Sequence, residues 1–418
     1  MANELSALVE VGGEAVDRLF VSTAESLHTA VAARVFRSTA PFSAPTRFVH
    51  DGIARAAYGS VRLVTRAATR GAASAMSLVM GDDNRPLSAS RRGRAAVSAM
   101  NALIGDALEE EGSALAIPMA IRRQGTDVPC APAVLRRAFR RPTSRLAVFL
   151  HGLGETEERW RRGAARHGGR RRLPFGERLR RDFDMTPIDI RYNSGLHISD
   201  NGRRLSDLLE YLLDAWPVTV EELALIGHSM GGLVARSACH AGSTTGQQWP
   251  SLVRHVITLG SPHTGVPLEK SVHAAAWALR AVPETRAIAR ILDMRSAGIR
   301  DLRFGYLVED DWRNEDPARL LHDSRSDVPT LPGCTHTFIA ATLTRDPKHP
   351  LGWLGGDFLV RTESAAGRRR DGSVVVPADE VIHVGPLSHF DLLDHPLVYM
   401  QIRETFSRRS RGTSPPTA

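Results

Sequence analysis

Lysine, cysteine and long apolar runs are scarce in this chain of 418 residues. Lys270 and Lys348 are its two lysines, so the net charge of +8 comes almost entirely from arginine. Three scattered cysteines are too few for a disulfide framework or a zinc site. No stretch reaches the roughly 18 uninterrupted apolar residues expected of a membrane-spanning helix. The sequence therefore predicts neither a disulfide scaffold nor a membrane-embedded chain.

Targeting and nucleic-acid signatures are also missing. The opening MANELSALVEVGGEAVDRLF has an early glutamate, no basic segment and no continuous apolar core, so it does not read as a secretory signal. We therefore expect a cytoplasmic protein. Arginine clusters occur at 136–145, 159–181 and 368–370, but no recognition helix, zinc finger or aromatic RNA-binding motif accompanies them. Nucleic acid is not an expected partner.

The remaining features of the sequence divide the chain into two parts. The length and a near-average apolar content of 42% favour a large α/β domain with an accessory segment. Apolar residues recur at helical spacing early in the chain, and the turn-rich stretch GDDNRPLSASRRGR then predicts a boundary between Gly81 and Arg94. We assign 1–93 to an N-terminal helical extension and 94–418 to the α/β domain.

A second helical segment of the extension carries a basic stripe. The stretch from Ile53 to Met80 has no acidic residue, and its arginines near one face are Arg55, Arg62, Arg66 and Arg70. One interpretation is peripheral contact with an anionic membrane. The other, which we favour, is the solvated face of a helical hairpin that packs on the main domain.

Short apolar runs alternate with helical segments in the main part. A hairpin is predicted first, from ALAIPMAIRR and the region around VPCAPAVLRRAF, with Gly125 and Asp127 in its turn. RLAVFLHG, PIDIRYN, ELALIGHS, VRHVITLGS, THTFIAATLT and VIHV follow as predicted strands. Alternation of this kind predicts a mainly parallel sheet with helices on both faces.

Residues 227–231 form the pentapeptide Gly-His-Ser-Met-Gly, which matches the G-x-S-x-G nucleophile elbow. A predicted strand precedes it and a predicted helix follows, so nucleophilic Ser229 is favoured over an ordinary turn residue. The Met230 backbone N–H would then donate to the oxyanion of a tetrahedral intermediate. The loop His151-Gly152-Leu153-Gly154 ends an earlier strand, and we assign the second oxyanion donor to the Leu153 N–H.

A serine nucleophile needs a histidine base and an acid that orients it. His389 follows the last predicted strand, where the base of this fold belongs, and His383 and His395 are its rivals. For the acid, Asp346 and Asp357 both follow THTFIAATLT, although a surface-turn role also explains Asp346.

These motifs resemble the lipase branch of the α/β-hydrolases, which includes bacterial triacylglycerol lipases and GPI inositol-deacylase-like proteins. The residues that carry the resemblance are HGLG, GHSMGG, LGSPHTGVPLE, GDFLVRTESA and SHFDLL, in the expected order. The resemblance implies that Asp357 is the acid and His389 the base. It also suggests a structural calcium near Asp391, for which a second aspartate has no clear match. No cofactor is otherwise expected.

Residues 265–327 form a long, largely helical insertion at the position where lipases often carry a cap. An ordinary packed excursion of the fold explains the insertion equally well. Together the motifs predict a serine hydrolase that cleaves carboxylic esters, with a lipid or acyl ester as the expected substrate. The alternatives are a thioesterase, amidase or acyltransferase with the same triad, or a non-catalytic lipid-surface-binding protein.

Overall fold

A computed structural model shows how these segments are arranged. It describes residues 86–162, 173–280, 292–313, 322–344 and 359–410 apart from 370, together with 4, 7, 8, 11, 21–38, 47, 48, 50–52, 54, 55, 58–60, 62, 289, 320 and 357. Asp346, Arg66 and Arg70 lie outside the described residues, so their predicted roles stay predictions.

Strands and helices alternate along most of the described chain. The strands are β1 Ala120–Arg123, β2 Thr126–Val128, β3 Arg145–Leu150, β4 Thr186–Arg191, β5 Glu222–His228, β6 Val253–Leu259, β7 Thr335–Ala341 and β8 Glu380–Val384. The helices are α1 Ser22–Ser38, α2 Arg91–Glu110, α3 Pro132–Ala138, α4 Arg159–Arg162, α5 Phe175–Phe183, α6 Ile198–Ala215, α7 Met230–Thr244, α8 Pro267–Arg280, α9 Ala297–Asp301, α10 Asp310–Arg313, α11 Thr362–Ala365 and α12 Pro396–Ser410. Short 3₁₀ turns cover Leu87–Ala89, Trp249–Leu252 and His389–Leu393.

The strands form one sheet in the order β2-β1-β4-β3-β5-β6-β7-β8. β1 pairs antiparallel with β2 and β4, and every pair from β4 to β8 is parallel. The predicted fold class, a mainly parallel sheet with flanking helices, is confirmed. The hairpin differs in detail, because Asp127 lies within β2 and its turn consists of Gln124 and Gly125. The segment Pro132–Ala138, assigned to the hairpin from sequence, is helix α3.

The central strands of the sheet are buried on both faces. In β3, Leu146, Val148 and Leu150 join the apolar cluster on one face, whereas Ala147 and Phe149 join the cluster on the other. Successive strand side chains point to opposite faces, so a strand covered on both sides must be apolar throughout. Because the strands from β3 to β8 run parallel, their carboxyl ends lie at one edge of the sheet, and the loops after them can converge there.

The N-terminal part packs on α2. Ala7 is buried in a small apolar cluster with Val97 and Leu108. Helix α2 begins at Arg91, capped by the Ser90 hydroxyl, so the predicted linker ends in the first turn of a helix. The division at 93 and 94 stays a prediction.

Of the basic stripe, the described Arg62 forms an ion pair with Glu25, whereas Arg55 is exposed. Arg62 therefore faces helix α1. None of the described helices has the length and apolarity needed to cross a bilayer. Membrane contact through this part stays a prediction.

The insertion at 265–327 is helical where the structure describes it. α8 carries Glu269, whose carboxylate is buried and lies 3.2 Å from Arg295 and 3.5 Å from Arg303. α9 is tied to α6, because Asp301 accepts hydrogen bonds from the Ile198 amide and the His197 ring. The Glu269 contacts lie within the insertion, and the Asp301 contacts join it to the rest of the domain. A lid role stays a prediction.

Candidate active site

Ser229 lies at the turn between β5 and α7. Its φ of 52° and ψ of −122° place it in a backbone conformation that is strained for a residue with a side chain. Its amide donates to the Leu259 carbonyl at 2.8 Å, which ties the turn to the end of β6. A Cβ at Gly227 or at Gly231 would meet backbone atoms at 2.4 Å. The two glycines are therefore required by close backbone packing.

Asp357 and His389 meet beside this turn although 32 residues separate them in the chain. The His389 Nδ1 lies 2.7 Å from Asp357 Oδ2, and both side chains are almost fully buried. The His389 amide also donates to the Asp357 carbonyl at 3.0 Å. A carboxylate only accepts, so Nδ1–H donates and Nε2 is left as the other functional nitrogen.

The loop after β6 lies against this pair. An added Cβ at Gly260, whose φ is 62°, would be 3.1 Å from His389 Nδ1 and 3.2 Å from Asp357 Oδ2. Leu259, the preceding residue, accepts the Ser229 amide hydrogen bond. One short loop therefore contacts the predicted nucleophile, base and acid.

The rival histidines lie elsewhere. His383 is within β8, where it pairs with Ala340 of β7. The His395 ring accepts a hydrogen bond from the Leu397 amide at the start of α12. Neither rival contacts Asp357 among the contacts of the described residues.

The two predicted oxyanion donors flank the serine. Met230 is the first residue of α7, where an amide has no acceptor within its own helix. Leu153 follows Gly152, whose added Cβ would lie 3.2 Å from the Ser229 Cβ. Gly154, with a φ of 67°, donates to the Ser194 hydroxyl and fixes that turn. Within the described chain, neither the Leu153 nor the Met230 amide has a hydrogen-bond acceptor.

A second carboxylate–histidine pair lies next to the first. His228 Nδ1 is 3.0 Å from Glu155 Oε2, and His228 Nε2 is 3.1 Å from the His389 carbonyl oxygen. The same Glu155 oxygen accepts the Gly152 amide at 2.9 Å. Burial alone would raise the pKa of Glu155, but the charge and hydrogen bond of His228 outweigh it and lower the pKa to about 2. Glu155 is thus ionised, and it joins the Gly152 loop to the elbow.

His151 supports the same loop. Its ring stacks on Tyr192 with centroids 4.3 Å apart, and the Tyr192 hydroxyl donates to the His151 carbonyl at 2.6 Å. Burial lowers the pKa of His151, so its ring stays neutral. We assign it to loop support rather than proton transfer.

Asp391 caps the turn that carries the predicted base. Its Oδ2 accepts from the Ser388 amide at 2.9 Å and from the Ser388 hydroxyl at 2.6 Å, which caps the 3₁₀ turn that contains His389. The described residues include no group of three His, Cys, Asp or Glu side chains able to hold a metal ion. A structural calcium near Asp391 stays a prediction.

Sequence reasoning did not select Glu155, His228 or Gly260. His228 occupies the first variable position of the elbow, and Glu155 directly follows the strand-end loop HGLG. The sequence offers two signals for them: a charged residue directly after the strand-end loop, and a polar residue beside the predicted nucleophile.

Comparison with known proteins places this geometry in context. Residues 148–326 match the model of a family described as PGAP1-like alpha/beta domain. The GPI inositol-deacylase of Candida albicans is 30% identical over 125 residues, which cover 28% of this chain and 31% of the deacylase. The match thus spans about a third of the length of that curated relative.

Solved structures with similarity include hydrolases of the lipase and esterase type. A Bacillus licheniformis lipase, BlEst2 in its propeptide form, is 19% identical with a TM-score of 0.42, over 63% of this chain and 51% of the lipase. A hyperthermophilic esterase from Pyrobaculum calidifontis is 16% identical with a TM-score of 0.36, over 65% and 77%. The parallel sheet and the strand–serine–helix elbow described above are those of an α/β-hydrolase fold.

Proposed function

We propose that this chain, which contains a PGAP1-like α/β domain over residues 148–326, is a serine hydrolase that cleaves carboxylic esters. The observation that carries the proposal is the buried 2.7 Å hydrogen bond between His389 and Asp357, beside a serine in a strained elbow. This is the arrangement needed to activate a hydroxyl, which is a weak nucleophile without a base.

In the first step His389 Nε2 takes the Ser229 proton as the hydroxyl oxygen attacks the ester carbonyl. Asp357 holds the imidazole with Nδ1–H toward the carboxylate and stabilises the imidazolium that forms. The imidazolium then gives its proton to the leaving alcohol, which leaves an acyl-enzyme. A water molecule that loses its proton to His389 attacks the acyl-enzyme, and the imidazolium returns this proton to the Ser229 oxygen as the carboxylic acid leaves.

The developing oxyanion needs donors that are already in position. Our proposal gives this role to the amides of Leu153 and Met230, on either side of Ser229. Met230 opens α7, so the positive end of the helix dipole also favours negative charge there. The Glu155 carboxylate, which accepts the Gly152 amide, would hold the strand-end loop in place.

For the substrate we propose an acyl ester of a lipid. The name of the Candida albicans relative describes removal of an acyl group from an inositol, which is the chemistry of ester cleavage. Thioesters and amides pass through the same tetrahedral intermediate, so only relative rates separate these classes.

The decisive test is ester hydrolysis by purified wild-type protein and Ser229→Ala, with p-nitrophenyl esters of graded chain length. We expect Ser229→Ala to lower kcat by at least about 10⁴-fold. Ser243→Ala, an exposed serine of the same helix α7, serves as the matched control and should retain wild-type activity. A Ser229→Ala protein that keeps its activity would refute the assignment.

Two further measurements sharpen the result. A fluorophosphonate should modify wild-type protein on a peptide that contains Ser229, and should leave Ser229→Ala unmodified. Rates on matched ester, thioester and amide substrates should rank the ester first. Absence of both labelling and turnover in folded wild-type protein would favour a non-catalytic binding protein instead.

A further inference from the structure

A basic cavity of about 450 Å³ lies between the loop after β6, helix α8 and the segment that follows Asp357. Its lining includes five cationic side chains, Lys270, Arg325, Arg361, Arg368 and Arg369. None of the proposed triad residues lines this basic cavity. Its function is therefore a separate question from ester hydrolysis.

Lys270, one of only two lysines in the chain, is held within the wall of this basic cavity. Its Nζ donates to the Thr264 carbonyl at 3.2 Å and lies 4.9 Å from the centre of the Phe304 ring. Burial lowers the pKa of Lys270, and the nearby charges of Arg325 and Arg361 lower it further. Three cations thus converge closely enough to repel one another.

The carboxylates in the lining compensate this charge only in part. Asp323 is committed to Arg325, with contacts of 2.9 and 2.7 Å. Asp371 accepts from the amide and hydroxyl of Ser373, and Glu363 is the third carboxylate of the lining. In the described part of the chain, no carboxylate lies within ion-pair distance of Lys270, Arg361, Arg368 or Arg369.

Arg361 provides the most direct indication of a missing acceptor. Its Nε is buried and has no hydrogen-bond partner among the described residues. Buried polar groups are nearly always paired, because an unpaired donor loses its hydration without compensation.

A second cavity of about 390 Å³ shares Asp323, Arg325 and Arg369 with the basic cavity, and the buried Arg236 lies in the wall of this second cavity.

We propose that the basic cavity binds a ligand that carries a phosphate group. Phosphate oxygens only accept hydrogen bonds, and arginine side chains donate to them in pairs, whereas lysine contributes a point charge. A volume of about 450 Å³ also accommodates a group attached to the phosphate. The phosphate could belong to a lipid headgroup or to a soluble ester, and the chemistry of recognition is the same.

The test is calorimetric titration of the full chain with inorganic phosphate at low ionic strength, where charge pairing is least screened. We expect the double variant Lys270→Met/Arg361→Gln to bind phosphate at least about tenfold more weakly than wild-type protein, since charged hydrogen bonds are lost. Arg136→Gln, an exposed arginine on α3 that does not line the cavity, is the control and should bind normally. Lys270→Arg keeps the charge and should also bind.

Co-sedimentation with phosphatidylcholine vesicles, with or without phosphatidic acid, identifies the source of the phosphate. Sedimentation with phosphatidic acid vesicles that the double variant loses would support a lipid headgroup. Phosphate binding without such sedimentation would support a soluble phosphate ester. Wild-type protein that does not bind phosphate, or equal affinity of wild-type and folded double variant, would overturn the proposal.

Discussion

Two buried carboxylate–histidine pairs lie side by side at the carboxyl edge of the sheet, and they differ in what the second ring nitrogen faces. In the Asp357–His389 pair, Nδ1 of His389 contacts the carboxylate, and Nε2 forms no hydrogen bond with a described residue. In the Glu155–His228 pair both nitrogens are occupied, one by the carboxylate and one by the His389 carbonyl. The two rings are only 4.6 Å apart between centroids.

A buried contact between a carboxylate and a histidine therefore does not by itself identify a general base. Both ring nitrogens of His228 are engaged, one by a carboxylate and one by a backbone carbonyl, so His228 holds its neighbours in place. The Nε2 of His389 contacts no described residue, and in our proposal this makes His389 the base.

Changing the acid of the first pair should have the largest effect. We expect Asp357→Asn to lower kcat/KM for ester hydrolysis by about 10⁴-fold, because an amide no longer selects the Nδ1–H tautomer of His389. Glu155→Gln, the same change in the second pair, should cost far less. A loss below about tenfold in Asp357→Asn would place the acid elsewhere, with Asp346 the first candidate.

Removing the bond between the two pairs should have an intermediate effect. His228→Asn keeps a donor near the position of Nδ1 but loses the donor to the His389 carbonyl, so we expect kcat to fall about 10- to 100-fold through misplacement of the base. KM should change little. His228→Gln, whose amide can reach the position of Nε2, should recover part of the activity. Equal losses in both variants would argue that the bond to His389 does not matter.

Each pair also has a glycine against its hydrogen bond, which allows a matched comparison. An alanine Cβ at Gly260 would lie 2.7 Å from Leu392 and 3.1 Å from His389 Nδ1, whereas at Gly152 it would lie 3.0 Å from Glu155 and 3.1 Å from His228. Gly260 also has a positive φ. We expect Gly260→Ala to lower stability by about 1–2 kcal/mol and kcat by about tenfold.

Gly152→Ala, without the positive φ, should lower stability less, although its Cβ would also approach Ser229. Chemical denaturation and ester hydrolysis measure the two effects. A Gly152→Ala protein less stable than Gly260→Ala would contradict this ranking.

The smallest expected effect on activity, a few-fold loss, belongs to Glu155→Gln, which should instead change how stability depends on pH. The folded pKa of Glu155 is about 2, below its ordinary value of 4.5. The ionised group therefore stabilises the fold above pH 4.5, and this contribution is lost as the pH falls toward 2.

We expect wild-type protein to exceed Glu155→Gln by about 1–3 kcal/mol in free energy of unfolding near neutral pH. That gap should shrink below pH 4.5. Urea denaturation across this pH range measures it. A gap that does not vary with pH would rule out the ionised pair.

The strands and the elbow could be predicted because their signals are local. Continuous apolar runs and the spacing of glycines around Ser229 are readable without knowing the fold. The Glu155–His228 pair could not be predicted in this way, since 73 residues separate its members and only the sheet brings them together. Gly125 lies in the hairpin turn as predicted, but Asp127 does not, because Gln124 adopts a positive φ that its residue type does not suggest and the turn closes one residue earlier.

The choice of Asp357 over Asp346 shows the same limit. Both follow the same strand, and residue type and position alone favoured neither. The resemblance to lipases selected Asp357, and the hydrogen bond to His389 is a tertiary contact that no local pattern encodes.

The positive φ at Ser229 has a consequence for how such a chain can evolve. A residue with a Cβ pays about 1–3 kcal/mol in that conformation, and glycine alone escapes the cost. The simplest stabilising replacement at this position is therefore the one that removes the hydroxyl. Selection for folding alone would favour that replacement, so in our proposal the strained backbone at Ser229 is kept because its hydroxyl is the nucleophile.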